Sequence, residues 1–236
     1  HAWRARQRQL DLLQKENNQA DLYLGLYEAG EIFRIFGDPQ KAREFYERAY
    51  PGLAQLNMLL SLGYYERAYG DLALEAGDYA EALRRYEKYA DFTRQENHPW
   101  SMAQARARCA LALACLGESQ RARLKLCELI AEIQAWGEDE LILAALLAEL
   151  ACLVQEGKAE AAVQLATFIR RHPVAWREMK QQAQTMLEQA VQGLPEETVQ
   201  AALQRGEAKR LDEFIEVIMR RKPDGDPRGS ADLPKN

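Results

Sequence analysis

The sequence predicts an all-α protein built as an array of antiparallel helix hairpins, and three observations carry that reading. Gly37, Gly77, Gly117 and Gly157 recur at intervals of forty residues, each five residues ahead of an alanine, at Ala42, Ala82, Ala122 and Ala162. A fixed period of this length is the signature of a repeat array. Aliphatic residues and alanine dominate between those turns, and most of what remains there forms helix readily. Near the C-terminus Leu211, Phe214, Ile215 and Ile218 fall at i, i+3, i+4 and i+7 while Asp212, Glu213, Glu216 and Arg220 lie off that stripe, as in a helix with one apolar side.

Residues 77–92 show how one unit works. The glycine suits the position just past a helix, where a left-handed backbone costs least without a Cβ, and Asp38 or Asp78 then caps the next helix. Asp78 and Glu81 have the spacing of a capping box. The alanine falls in the second turn of that next helix, where a small side chain lets two antiparallel helices approach closely. Gly30 and Gly70, seven residues before the turn glycines, serve the same purpose on the first helix. Each unit is therefore a helical hairpin.

Gly70, Gly77, Asp78, Tyr79, Ala82 and Tyr86, and in the unit before them Gly30, Gly37, Asp38, Ala42, Tyr46 and Ala49, give these units a known look. They resemble the tetratricopeptide family, whose hairpins carry a small residue in the first helix, a Gly-Asp-Tyr-like turn, then alanine and an aromatic in the second. The third and fourth units keep the turn glycine and the alanine, with Ala110 and Leu150 where the first-helix glycine would stand. The period exceeds the roughly 34 residues usual for that family and lies in the roughly 40–47 range of HEAT and armadillo repeats. The turn chemistry decides for tetratricopeptide, with longer helices. The resemblance implies a right-handed superhelical solenoid with C-terminal capping helices. Units of this length look like the C-terminal sensor region of bacterial STAND-type signal-transduction NTPases and related transcriptional activators, and residues 172–219 strengthen that likeness. It covers nearly all of the chain up to Arg221 and specifies architecture rather than activity.

Taken in order, residues 1–18 read as a truncated repeat, a helix over 3–16 ended by Asn17-Asn18. The chain begins with His1, and Ala2 lies forty residues before Ala42, so we expect a fragment of a longer protein. Residues 19–172 hold four repeats. The first opens with a helix over 19–36; its partner starts with Pro39 at the first helical position and is expected to stop near Tyr50, because Pro51-Gly52 disfavours continuation. The next helix should then be long, over 54–76, followed by one over 79–96. Asn97 and Pro99 separate that from 100–116. A helix over 118–135 follows, with Gly137 and Asp139 as the end of one helix and cap of the next, then 140–155 and a short helix from Lys158 to His172-Pro173. Residues 173–222 should cap the array with helices over 174–192, 195–205 and 207–221, separated at Gly193 and Gly206. Residues 1–222 count as one domain, and 223–236, rich in Pro, Gly and Asp, as a flexible tail.

Composition narrows the function. Lys and Arg number 31 against 36 Asp and Glu, a net charge of −5, which argues against nucleic-acid binding driven by overall charge. No apolar run reaches the roughly 18 residues of a membrane span. Cys109, Cys115, Cys127 and Cys152 stand inside expected helices with no Cys-x-x-Cys pair, as buried free thiols of a reducing cytoplasm would. There is no phosphate-binding glycine loop, nucleophile elbow or His-Glu-x-x-His helix. His98 and His172 precede prolines and read as residues at helix starts. The chain reads as no enzyme, needing no cofactor or metal. Basic groups cluster at Arg4, Arg6 and Arg8, at Arg106, Arg108, Arg121, Arg123 and Lys125, and at Arg220, Arg221 and Lys222. Solvated helix faces explain such runs, and an anionic protein surface is the candidate partner for the middle one.

In tetratricopeptide arrays the first helix of each unit lines a concave groove, which here implies Tyr27, Glu31 and Arg34 in the first unit and Tyr64, Arg67 and Asp71 in the second. Such aromatic and charged residues can grip a peptide by stacking and charge-assisted hydrogen bonds. The corresponding residues further on, Leu111, Cys115 and Leu147 among them, are apolar, and the segment from Val174 onward is the expected cover for them. The resemblance thus implies a non-enzymatic interaction and sensor module of a larger bacterial signalling ATPase, taking a protein or peptide, or other domains of the same full-length protein, in its groove. Two other readings stay open: a peptide- or small-molecule-binding regulatory domain, and a self-associating scaffold.

Overall fold

The structure, a computed structural model, describes residues 2–220. The expected tail over 223–236 lies outside them, as do His1 and the Arg221-Lys222 end of the third basic cluster. Among the described residues there are twelve α-helices and no strand: α1 (Ala2–Lys15), α2 (Gln19–Ile35), α3 (Pro39–Gln55), α4 (Leu59–Glu75), α5 (Tyr79–Gln95), α6 (Pro99–Cys115), α7 (Ser119–Ile133), α8 (Asp139–Gln155), α9 (Ala159–Arg171), α10 (Arg177–Ala190), α11 (Glu196–Ala208) and α12 (Leu211–Arg220). The described residues are all-helical in class.

Helix starts from α2 to α9 fall every twenty residues, half the interval that the glycines mark. The cause is a left-handed residue at every step: Asn17, Gly37, Asn57, Gly77, Asn97, Gly117, Gly137 and Gly157 all have positive φ. Asparagine tolerates this region better than other residues with a Cβ, so it alternates with glycine at the same backbone position. Seven of these turns share one hydrogen-bond pattern. At the first glycine, the Gly37 N–H donates to the Arg34 carbonyl at 3.0 Å and the Asp38 N–H to the Phe33 carbonyl at 2.9 Å, which satisfies two otherwise orphaned carbonyls. The same pair closes the turns at Asn17, Asn57, Gly77, Asn97, Gly117 and Gly157.

The next residue then caps the following helix. Asp38 accepts from the Lys41 N–H and Asp78 from the Glu81 N–H, both at 3.1 Å. Glu81 does not reach back to Asp78; its carboxylate is taken by Arg84 and Arg85, so the capping box is half formed. His98 caps α6 through Nδ1, 3.3 Å from the Ser101 N–H, whereas His172 ends α9 and starts no helix. At the 137 turn, α7 stops at Ile133 and a single 3₁₀ turn, Gln134–Trp136, leads into Gly137. Glu138, not Asp139, is the N-cap there.

Three boundaries differ from expectation, each because a tertiary contact outweighs local propensity. Helix α3 runs through Pro51 to Gln55, since Ala49 before the proline and Leu53 after it are both fully buried on one face. Gly52 is no breaker either: a Cβ there would lie 2.1 Å from the Tyr23 ring of α2, so glycine is the residue that lets α3 lie against α2. Helix α4 accordingly starts at Leu59. Gly206 sits inside α11, where a Cβ would meet the Gln164 carbonyl oxygen of α9 at 2.5 Å, and the last helix starts only at Leu211.

The helices fall into two compact units, one ending at Ala105 and one beginning at Arg106. In the first, α2 packs on α3 and α4 on α5, with α1 against α2. Ala42 and Ala82 are fully buried, and a Cβ at Gly30 or Gly70 would come within 2.3 Å of the Tyr46 ring or 2.4 Å of the Tyr86 ring. In the second, α8 is buried continuously from Leu141 to Leu153; α10 packs on α8 and α9, α11 on α9, and α12 on α7. Phe214, Ile215 and Ile218 of α12 are buried, with Phe214 4.9 Å from the Phe168 ring. Three cysteines are buried as free thiols, while Cys115 is partly exposed.

Candidate interaction surface

In the first unit, α2 and α4 bring six of the expected groove residues together, and the chemistry between them is dense. Tyr27, Glu31 and Arg34 stand at i, i+4 and i+7 on α2, so they share one face. Tyr64, Arg67, Asp71 and Glu75 do the same on α4. Arg34 donates to Glu31 at 3.2 Å and to Glu75 at 2.8 Å, and its guanidinium lies 3.8 Å from Asp71. Arg67 donates to Glu31 at 2.9 Å and to the Tyr27 hydroxyl at 2.6 Å, and is 3.8 Å from Asp71. Tyr64 stacks on Tyr27 at 6.4 Å between ring centroids and lies under the Arg67 guanidinium.

The second helix of each hairpin completes the arrangement. The Tyr46 hydroxyl donates to Glu31 and the Tyr86 hydroxyl to Asp71, the latter at 2.8 Å. Acid and tyrosine are fifteen residues apart in both hairpins, the spacing at which residues on either side of the turn face each other. Each tyrosine therefore lays its ring over the close-approach glycine and its hydroxyl on the acid next to that glycine. Tyr89 repeats the fifteen-residue reach across the Asn97 turn, donating to Gln104 at 3.3 Å.

Burial of these charges fixes their electrostatics. The Arg34 side chain is 4% exposed and Asp71 8%, Glu31 and Arg67 are each 16% exposed, and Glu75 reaches solvent at 47%. Burial pushes the Glu31 carboxyl up, but Arg67 and Arg34 outweigh it and hold it below the usual carboxylate range. Burial raises the Tyr27 and Tyr46 phenols, so both stay neutral, Tyr27 accepting from Arg67 and Tyr46 donating to Glu31. The groove expected at Tyr27, Arg34 and Asp71 is thus a filled interior, and what reaches solvent is its rim: Tyr64, Arg67, Glu31 and Glu75.

The apolar positions of the second unit are placed differently. Leu111 and Leu147 are buried, and Cys115 is partly exposed, its thiol pushed up to about 11 by burial. That makes it a poor nucleophile at neutral pH. Three arginines of the middle basic cluster form ion pairs within the second unit. Arg123 pairs with Glu149 at 2.8 Å and with Glu156, Arg106 pairs with Glu132, and Arg121 with Glu118. Trp176 caps α10 and donates to Glu140 at 3.1 Å.

Sequence reasoning left out Tyr46 and Tyr86 as partners of the acids. The signal was present, because Glu31 and Asp71 directly follow the close-approach glycines and each has a tyrosine fifteen residues on. Among the described residues no group of three or more His, Cys, Asp or Glu is placed to hold a metal ion, and no helix is long and apolar enough to cross a membrane. Comparison of the chain with protein-family models, with curated proteins and with solved structures finds no match.

Proposed function

We propose that the protein is a non-enzymatic interaction module, a right-handed superhelical array of tetratricopeptide-like hairpins that binds a protein or peptide at the rim of the α2–α4 network. The observation that carries this reading is the buried ion-pair network itself. An interior of paired charges is seldom worth more than a well-packed apolar one, so its presence in the first unit fits a role other than stability. Among the groups named, three carboxylates, Glu31, Asp71 and Glu75, face two guanidiniums, Arg34 and Arg67, and the most exposed of the five is the acid Glu75. A basic side chain seated on Glu75 complements that balance, and an aromatic one can stack against Tyr64, eleven residues away on α4 and so about 16 Å along its axis. The ligand chemistry is therefore a peptide with basic and aromatic residues.

The wider setting follows from the resemblance: a sensor region in the cytoplasm serving a STAND-type signalling ATPase, with a partner protein or other domains of the same polypeptide as the occupant. The test is selection of displayed peptides on the immobilised chain. Binders should be enriched in Arg, Lys and aromatics and should weaken at least tenfold with Glu75→Ala or Tyr64→Ala. Binders of no common charge, or binders indifferent to both substitutions, would count against this surface.

A further inference from the structure

Helix α1 leaves one flank bare that its counterparts cover. Ala5, Gln9 and Leu12 are exposed, Leu12 at 56%. Forty residues on, in the same register, Phe45, Ala49 and Gly52 of α3 are buried, and eighty residues on Tyr89 of α5 is buried and Phe92 half-buried. In both hairpins the cover is the first helix of the pair. A Cβ at Gly52 would meet the Tyr23 ring of α2 at 2.1 Å, and a Cβ at Gly63 of α4 would lie 3.1 Å from the Phe92 Cβ.

The charges on α1 say what kind of helix fits. Arg6 stands in the register of Tyr46 and Tyr86, the two donors that reach the acid next to the close-approach glycine. It now pairs at 2.5 Å with Glu28, which is 44% exposed, and Arg4 and Arg8 are exposed beside it. We propose that this flank docks an acidic amphipathic helix, antiparallel to α1, presenting glycine or alanine followed by Asp or Glu where α2 has Gly30-Glu31 and α4 has Gly70-Asp71. The small residue leaves room for Arg6, as Gly30 does for the Tyr46 ring, and the acid receives a charge-assisted hydrogen bond from Arg6; apolar side chains of the docked helix cover Ala5 and Leu12, as Phe33 stacks on Phe45 and Tyr23 lies against Gly52.

A tethered copy tests this on the full chain. Residues 19–41 duplicated and joined ahead of Ala2 put a second Gly-Glu helix in the register that α2 holds toward α3, and tethering makes docking intramolecular. Amide exchange in α1 should slow at least tenfold, with α4 and α5 as the folding control, and Leu12→Asp should remove that protection. A copy carrying Gly30→Leu and Glu31→Lys should give none. No slowing with the unaltered copy, or equal slowing with both copies, overturns the proposal. So does a concentration-dependent dimer of the untethered chain in sedimentation that Leu12→Asp dissolves, because the flank would then belong to a second copy.

Discussion

The two units use the same turn and fill the space behind it with opposite chemistry. In the first, Glu31 and Asp71 receive the hydroxyls of Tyr46 and Tyr86; forty and eighty residues beyond Asp71, in the second, stand Leu111 and Ala151, with Leu126 and Ala166 at the tyrosine positions, all buried. The left-handed residue every twenty positions sets helix register from α2 to α9, across both, so the backbone there does not depend on what fills the interior. That independence frees the first unit to carry buried charge, and it makes the polar interior a choice that stability alone does not explain.

Reversing one charge should break the comparison most forcefully. Arg34→Glu leaves Glu31, Asp71 and Glu75 facing another carboxylate in a buried site and should cost about 3–5 kcal/mol, read from the denaturant midpoint. A loss below about 1 kcal/mol would mean that the network holds nothing together. Tyr86→Phe strips Asp71 of its hydroxyl donor and should cost about 1.5–3 kcal/mol, a hydrogen bond to a buried charge, with no counterpart at Leu126. Ala82→Leu should overpack the α4–α5 hairpin by roughly 1–3 kcal/mol. An unchanged melting temperature there would show that the fully buried alanine is not a tight contact. The smallest stability effect should be a gain: Asn57→Gly relieves a left-handed residue of its Cβ and should stabilise by less than about 1 kcal/mol.

Acid titration separates surface pairs from the network. Glu81 in the first unit, hydrogen-bonded by Arg84 and Arg85, and Glu156 in the second, held by Arg123, are both drawn down to about 2 from an ordinary value of 4.5. Because the folded value is the lower one, their stabilisation is full above pH 4.5 and is lost as pH falls toward 2. Both side chains are about a third exposed or less, at 31% and 25%, so solvent screening keeps each contribution below about 1 kcal/mol. Glu81→Gln and Glu156→Gln should each flatten the melting temperature between those pH values by a small and similar amount. A large difference between them would mean that Arg85 and Arg123, each also paired with a buried acid, Glu66 or Glu149, couple the two unequally to the interior.

The fold was legible to the extent that its turns use glycine. Gly37, Gly77, Gly117 and Gly157 mark alternate turns; of the intervening ones, Asn17, Asn97 and Gly137 read as helix ends, and Asn57 is hidden because Pro51-Gly52 draws the break upstream of it. Pro51-Gly52 and Gly206 read as breaks from local propensity alone, since the contacts that hold them in helices, with Tyr23 and Gln164, are far off in the chain. Grouping the site was possible from helix periodicity, which puts Tyr27, Glu31 and Arg34 on one face. Its burial was not, because Arg34 meets Glu75 and Arg67 meets Glu31 only once both hairpins are stacked.

The central claim is that the tyrosine-capped acids of the first unit support a binding rim which the second unit, whose buried Glu149 pairs with Arg123 instead, lacks. Titrating the intact chain with the best displayed peptide tests it directly, by comparing Glu75→Ala with Glu132→Ala, an exposed ion-pair acid of the second unit. We expect at least a tenfold loss of affinity for Glu75→Ala, with a small drop in melting temperature because Arg34 loses a partner, and neither change for Glu132→Ala. Equal affinity for the two variants, or a loss confined to Glu132→Ala, would contradict the account.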